Sequence, residues 1–144
     1  MSIVPERFQY ADDWLRIVEK DLSRVERSLR DGDPELAGFC LQQSVEKFLK
    51  AFLLARGWQL RRIHDLEALL DDAVAHDPAL EQFRAACQST TKYYLIERYP
   101  LAVESGLTGR EVRESLEAVR GLFQRIRKAL IRPPPPRMKR SRRA

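Results

Sequence analysis

Apolar residues recur every three or four positions along most of the chain, which is the spacing of amphipathic helices. In the first such segment, from about Glu6 to Leu29, the apolar positions are Tyr10, Trp14, Ile17 or Val18, Leu22, Val25 and Leu29. Because residues three and four apart lie on one face of an α-helix, the segment predicts a helix that buries one side. Asp31-Gly32 predicts its end, since both residues tolerate a left-handed turn.

The second segment is apolar over more than one face. Asp33-Pro34 predicts its start, because aspartate accepts hydrogen bonds from the first N–H groups of a helix and proline suits the first helical position. We expect the helix to reach about Arg56, with Gly57 as its C-cap. Its apolar positions are Leu36, Phe39, Cys40, Leu41, Val45, Phe48, Leu49, Phe52 and Leu53. Such breadth predicts a central helix that others surround.

Three further patterns complete the domain. Asp65 predicts the cap of a short third helix, and Asp77-Pro78 predicts the start of a fourth that ends before Pro100. The fourth carries on one side Leu80, Phe83, Cys87, Thr90 or Thr91, and Tyr94. Thr108 and Glu111 form a capping box that opens a fifth helix. Alternating strand patterns are absent from the sequence, so we predict an all-α, up-down bundle of four to five helices.

The C-terminal residues predict a different kind of segment. Pro133 to Pro136 end the fifth helix, and the basic residues of 132–144, which contain no acid, are Arg132, Arg137, Lys139, Arg140, Arg142 and Arg143. We therefore expect a helical domain over 1–131 and a disordered, Pro-rich basic tail over 132–144. The tail predicts non-specific contact with RNA or an acidic partner, or else a solubilising terminus.

What the net charge implies depends on where the charged residues lie along the chain. The net charge is +5, but residues 1–131 carry 20 basic and 21 acidic side chains, so the predicted domain has no cationic excess for a nucleic-acid groove. The chain lacks an apolar run long enough for a membrane helix, and its first residues do not resemble a signal peptide. We expect a cytoplasmic protein without membrane contact.

The cysteines and histidines predict no metal site. Cys40 and Cys87 fall within apolar helical patterns, which favours two small buried side chains over a disulfide or redox pair. Two cysteines together with His64 and His76 do not have zinc-ligand spacing.

Three segments in order carry a family resemblance. They are QQSVEKFLKA at 42–51, HDL at 64–66 and YYLIERYP at 93–100, preceded by a helix containing Trp14 and EKDL at 19–22. Together they resemble the HEPN domain, a family of helical bundles named for nucleotide binding in prokaryotes and higher eukaryotes, over roughly residues 7–130. The resemblance implies a homodimer, a nucleotide as ligand and, as in toxin–antitoxin pairs, a minimal nucleotidyltransferase as partner.

Many HEPN proteins are ribonucleases that use an arginine followed four to six residues later by a histidine. In this chain neither His64 nor His76 follows an arginine at that spacing, and no histidine follows Arg98. Imidazole is the group best suited to move a proton near neutral pH, so this departure favours a binding module over an enzyme. The resemblance implies the non-catalytic branch, and the alternative is an RNA-cleaving toxin with a non-standard site built on Arg98, Tyr94 and His64.

Lys47 and Lys50 are the first candidate ligand-binding residues. They lie three apart on the second helix, beside Gln42, Gln43 and Glu46. This polar strip predicts either a solvated face with a weak Glu46–Lys50 pair or a strip that faces a phosphate or a partner.

The remaining candidates are His64, Tyr94, Arg98 and Tyr99. His64 either bonds a backbone group beside the Asp65 cap or lines a cleft near YYLIERYP. Tyrosine rings stack on bases and arginine binds phosphate, but Tyr94 could equally finish the core while Arg98 pairs with an acid.

Overall fold

The computed structural model describes residues 6–98 and 106–131, and these residues form helices without any strand. The helices are α1 (Glu6–Arg30), α2 (Pro34–Leu54), α3 (Leu66–Val74), a 3₁₀ helix (Pro78–Phe83), α4 (Arg84–Thr91), α5 (Tyr93–Arg98) and α6 (Gly109–Ile131). The predicted all-α helical bundle is confirmed. None of the described helices is both long enough and apolar enough to cross a bilayer.

Helix α2 lies at the centre of the bundle, as its broad apolar surface predicts. It packs against α1, α3, α4, α5 and α6, and nearly all its side chains from Ala37 to Leu53 are buried. The ring of Phe48 stacks on Phe123 of α6 at 4.4 Å between centroids. Because five helices pack against α2, polar residues on this helix are buried as well.

The predicted helix starts are confirmed by hydrogen bonds. Carboxylates of Asp33, Asp65 and Asp77 accept from the backbone N–H groups of Leu36, Glu67 and Ala79 at 3.2, 3.0 and 3.3 Å. At the start of α6 the Glu111 N–H donates to the Thr108 hydroxyl, and the Thr108 N–H donates to the Glu111 carboxylate, both at 3.2 Å. Capping therefore fixes where these helices begin.

The end of α2 differs slightly from the prediction. The helix ends at Leu54 rather than near Arg56. Gly57 adopts a φ of 88°, its N–H donates to the Leu54 carbonyl, and the Trp58 N–H donates to the Leu53 carbonyl. This is the pattern of a helix that closes on a left-handed glycine, so the role expected of Gly57 is confirmed.

The prediction of one continuous fourth helix is wrong. The segment instead forms a 3₁₀ helix and α4, then a turn at Lys92, then α5. After this turn, a different tyrosine faces the core from the one that a continuous helix would place there. Tyr93, not Tyr94, is buried, with only 2% of its surface exposed. Its hydroxyl lies 2.8 Å from the Ser115 hydroxyl of α6, which anchors α5 to the bundle.

Both cysteines are buried, as their positions in apolar patterns predict. Burial raises the pKa of the Cys87 thiol to about 12, because the thiolate would lose its hydration. The described residues contain no cluster of three or more side chains suited to hold a metal ion.

Candidate functional site

The polar strip of α2 is buried, so the interpretation as a solvated face is wrong for most of it. Gln42, Glu46 and Lys50 expose 0%, 4% and 5% of their surface. The segment between α2 and α3 returns over this part of α2, and the Gln42 amide donates to the His64 backbone carbonyl at 3.0 Å. Sequence spacing could not show this cover, because it depends on contacts between residues far apart in the chain.

Both lysines of the strip pair with carboxylates of this chain. The Lys50 ammonium donates to Glu46 Oε2 at 2.8 Å. The Lys47 ammonium donates to Asp21 Oδ2 of α1 at 2.7 Å. The pairing satisfies charges that would be costly to bury alone, and it links α1 to α2.

His64 is held by the same cluster. Its Nδ1 lies 3.1 and 3.3 Å from the two carboxylate oxygens of Glu46. Glu46 Oε1 also accepts a hydrogen bond of 3.1 Å from the Gln42 amide, whose oxygen in turn accepts from the Gln43 amide at 2.8 Å. We call Gln42, Glu46, Lys50 and His64 the α2 polar cluster. It fixes both the backbone and the ring of His64.

The ring of His64 connects this cluster to α5. It stacks on Tyr94 with 4.5 Å between centroids and 17° between planes. The Arg98 guanidinium lies over the same tyrosine ring at 5.1 Å, and Phe39 of α2 stacks on Tyr94 at 6.1 Å. We call Phe39, His64, Tyr94 and Arg98 the ring stack. The structure therefore brings together three of the predicted site residues, His64, Tyr94 and Arg98.

The ring stack is accessible. The side chain of His64 is 47% exposed, Arg98 is exposed and Tyr94 is half-buried. An exposed guanidinium can donate two parallel hydrogen bonds to a phosphate or carboxylate, and an exposed aromatic ring can stack on a base. The arrangement can therefore bind a planar, anionic ligand.

For six of the predicted site residues the structure gives no position. Tyr99 and the tail residues Arg137, Lys139, Arg140, Arg142 and Arg143 lie outside the described residues. Sequence reasoning did not assign Phe39, Gln42 or Glu46 to the site. The available signal was the spacing of Gln42, Glu46 and Lys50, which places three polar side chains on one face of an otherwise apolar helix.

The sequence profile of the HEPN domain matches residues 11–129, which is most of the chain. This chain belongs to the HEPN family. Its fold is similar to the crystal structure of the protein TT1696 from Thermus thermophilus, with 32% identity, a TM-score of 0.73, and coverage of 82% of this chain and 96% of that one. The crystal structure of an archaeal HEPN homologue is similar at 25% identity and a TM-score of 0.66, covering 83% and 97%. A comparison with curated proteins finds no match.

The match extends across both halves of the site. The matched residues include α2, the HDL segment and α5, so the α2 polar cluster and the ring stack both lie within the HEPN domain. The predicted family resemblance is confirmed.

Proposed function

We propose that this HEPN domain binds a nucleotide at the ring stack. The observation that carries the proposal is the position of an exposed guanidinium and an exposed imidazole against one tyrosine ring. Arg98 would bind the phosphate, because charge-assisted hydrogen bonds from a fork of N–H groups suit phosphate oxygens.

His64 rather than Tyr94 offers the stacking face for the base. Tyr94 already contacts Phe39, His64 and Arg98 and is half-buried. His64 uses one face against Tyr94 and is 47% exposed. A base that stacked on His64 would extend the existing stack without displacing any of its members.

Calorimetry with AMP, ATP and adenosine tests the proposal. Arg98→Ala should weaken AMP and ATP binding about tenfold or more, since a hydrogen bond to a charged group contributes roughly 1.5–3 kcal/mol, and should change adenosine binding less. Arg110→Ala, which removes an exposed arginine from the first turn of α6, is the matched control. Absence of nucleotide binding, or an equal loss in both variants, would contradict the proposal.

We further propose that the protein is a homodimer and pairs with a minimal nucleotidyltransferase. Membership of the HEPN family supports both proposals. Co-expression with the product of a neighbouring nucleotidyltransferase gene should yield a co-purifying complex, and light scattering of the isolated protein should give twice the chain mass. A monomer that does not co-purify with that product would contradict both.

The basic tail supports a separate proposal of non-specific RNA contact. Exchanging Arg137, Lys139, Arg140, Arg142 and Arg143 together for glutamine should abolish salt-dependent RNA binding, because fewer counterions would then be released. Unchanged binding would show that the tail does not contact RNA.

RNA cleavage is the second candidate function. One observation favours it: a carboxylate orients His64 beside the tyrosine that Arg98 also contacts, and a histidine oriented in this way can move a proton. Incubation with total RNA, using His64→Ala, Arg98→Ala and the control His76→Ala, separates the possibilities. Cleavage that both His64→Ala and Arg98→Ala retain would exclude this site.

A further inference from the structure

The proton on His64 can be located from its neighbours. Nδ1 lies within hydrogen-bond distance of both carboxylate oxygens of Glu46, at 3.1 and 3.3 Å. An ionised carboxylate only accepts hydrogen bonds, so the shared proton belongs to Nδ1. A neutral imidazole carries one N–H, and its other nitrogen, Nε2, is then an acceptor.

The rest of the α2 polar cluster keeps Glu46 an acceptor. Its other partners are the Lys50 ammonium, which only donates, and the Gln42 side-chain N–H group. The orientation of the Gln42 amide is itself fixed, because its oxygen accepts from Gln43 and its nitrogen donates to the His64 carbonyl. Every hydrogen bond of the cluster therefore agrees with one proton arrangement.

Burying the polar and charged side chains of the α2 polar cluster costs free energy, which suggests a function beyond packing. Three side chains that expose 5% or less of their surface are polar, and apolar residues of similar volume often replace a buried ion pair without loss of stability. The cluster ends at an imidazole that is 47% exposed within the ring stack. Its buried charges thus act on a group that a ligand can reach.

We propose that Glu46 is a positioning residue that holds His64 in the Nδ1–H tautomer, so that Nε2 accepts a hydrogen bond from a neutral donor on the ligand. The ligand class is a phosphate-bearing molecule with a hydroxyl or amino donor. The phosphate is bound by Arg98 and the donor by His64. The identity of the ligand rests on the proposed nucleotide binding, but the tautomer of His64 does not.

Nitrogen-15 NMR of the full chain at neutral pH tests the tautomer without any ligand. The expected spectrum shows a protonated Nδ1 and an unprotonated Nε2 for His64. His76→Ala assigns the signals, since His76 is the chain's other histidine. A protonated Nε2, in either the opposite tautomer or the imidazolium ion, would overturn the proposal.

A double variant tests the role of Glu46. Glu46→Leu with Lys50→Met removes the buried pair together, which avoids leaving one buried charge without a partner. The His64 signals should then move towards a mixture of tautomers, and AMP affinity should fall about fivefold, as expected for one lost orienting interaction of about 1 kcal/mol. Unchanged signals in a folded double variant would overturn the role of Glu46.

The matched control exchanges the other lysine pair of α2. Asp21→Asn with Lys47→Met removes the pair between α1 and α2 without touching His64, so its imidazole signals should stay as in the parent. If this control shifts the signals equally, the positioning role of Glu46 is overturned. Should the Glu46 variant fail to fold, the spectrum of the parent protein still decides the tautomer.

Ligand titrations test the donor requirement. AMP should shift the His64 Nε2 signal, whereas sulfate should not, because it is an anion that carries no O–H or N–H donor. Inosine monophosphate and 2′-deoxy-AMP show whether the donor is the amino group or the 2′-hydroxyl. An equal shift with sulfate would overturn the donor assignment. A parent that binds no nucleotide but shows the expected tautomer would contradict the proposed function and the ligand assigned with it, but not the tautomer of His64.

Discussion

Gly38 determines how closely α5 approaches α2. A Cβ atom at this position would lie 3.0 Å from Cγ of Tyr93 and 3.2 Å from Cδ1. Tyr93 cannot easily yield, because it is buried and its hydroxyl contacts Ser115. The absence of a side chain at one residue therefore allows the tyrosine to anchor α5 and places Tyr94 in the ring stack.

Gly38→Ala should destabilise the protein although alanine is the better helix former. Overpacking against a buried ring costs roughly 1–3 kcal/mol and the gain in helix propensity is at most about 1 kcal/mol, so we expect a net loss of up to about 2 kcal/mol. Urea unfolding measures the change. Gly109→Ala is the control, since a Cβ there would make an ordinary contact of 3.7 Å with Leu29. A Gly38→Ala protein as stable as the parent would contradict this account of the packing.

Cys87 should make stability depend on alkaline pH. Its thiol pKa is raised from 9.0 to about 12 in the folded protein, so the unfolded chain loses the proton first as pH rises. The stability associated with this group is present below about pH 9 and is lost between about pH 9 and pH 12. Compared with the parent, Cys87→Ala should lose less stability over that range in urea titrations. Parallel pH profiles would show that the thiol is not buried as described.

At the scale of elements, helices with strong periodicity and clear caps could be predicted. The starts of α2, α3 and α6 follow from Asp33, Asp65 and Thr108, whose side chains act within a few residues of themselves. The division of the predicted fourth helix into shorter helices could not be predicted, because the turn at Lys92 contains neither glycine nor proline. The break that buries Tyr93 is supported instead by the distant residues Gly38 and Ser115.

The 3₁₀ helix is joined to α6 by Asp77 and Arg125. Arg125 donates to both carboxylate oxygens at 2.6 and 3.0 Å, and this hydrogen bonding lowers the pKa of Asp77. A carboxylate whose pKa is lowered by folding stabilises the protein at pH values above the ordinary pKa of aspartate. This stabilisation is lost as the pH falls through the pKa of the folded state. The Asp77–Arg125 pair therefore stabilises the fold near neutral pH, and this stabilisation is lost in acid.

Arg125→Ala should destabilise the protein at neutral pH by about 0.2–1 kcal/mol, as expected for an exposed ion pair. The difference from the parent should shrink when the pH falls below about 4, where the unfolded-state aspartate becomes protonated. Urea titrations at several pH values measure it, with Arg110→Ala as control. A difference that does not depend on pH would contradict an ionic origin.

At the scale of the whole molecule, the candidate site is assembled from α2, the segment before α3, and α5. His64, Tyr94 and Arg98 could be selected from sequence by their chemistry and by the family resemblance. Their arrangement could not, because Glu46 and Gln42 meet His64 only after the chain returns over α2. The same return explains why Lys50, expected on a polar strip, is buried in a pair with Glu46.

The most direct test of the proposed site is backbone NMR of the full chain during titration with AMP. We expect the perturbed amides to centre on His64, Tyr94 and Arg98, and we expect Arg98→Ala to reduce these perturbations while Arg110→Ala does not. Perturbations centred instead on the groove between α1 and α6, near Glu26 and Arg120, would contradict the proposed site, and so would a spectrum that AMP leaves unchanged.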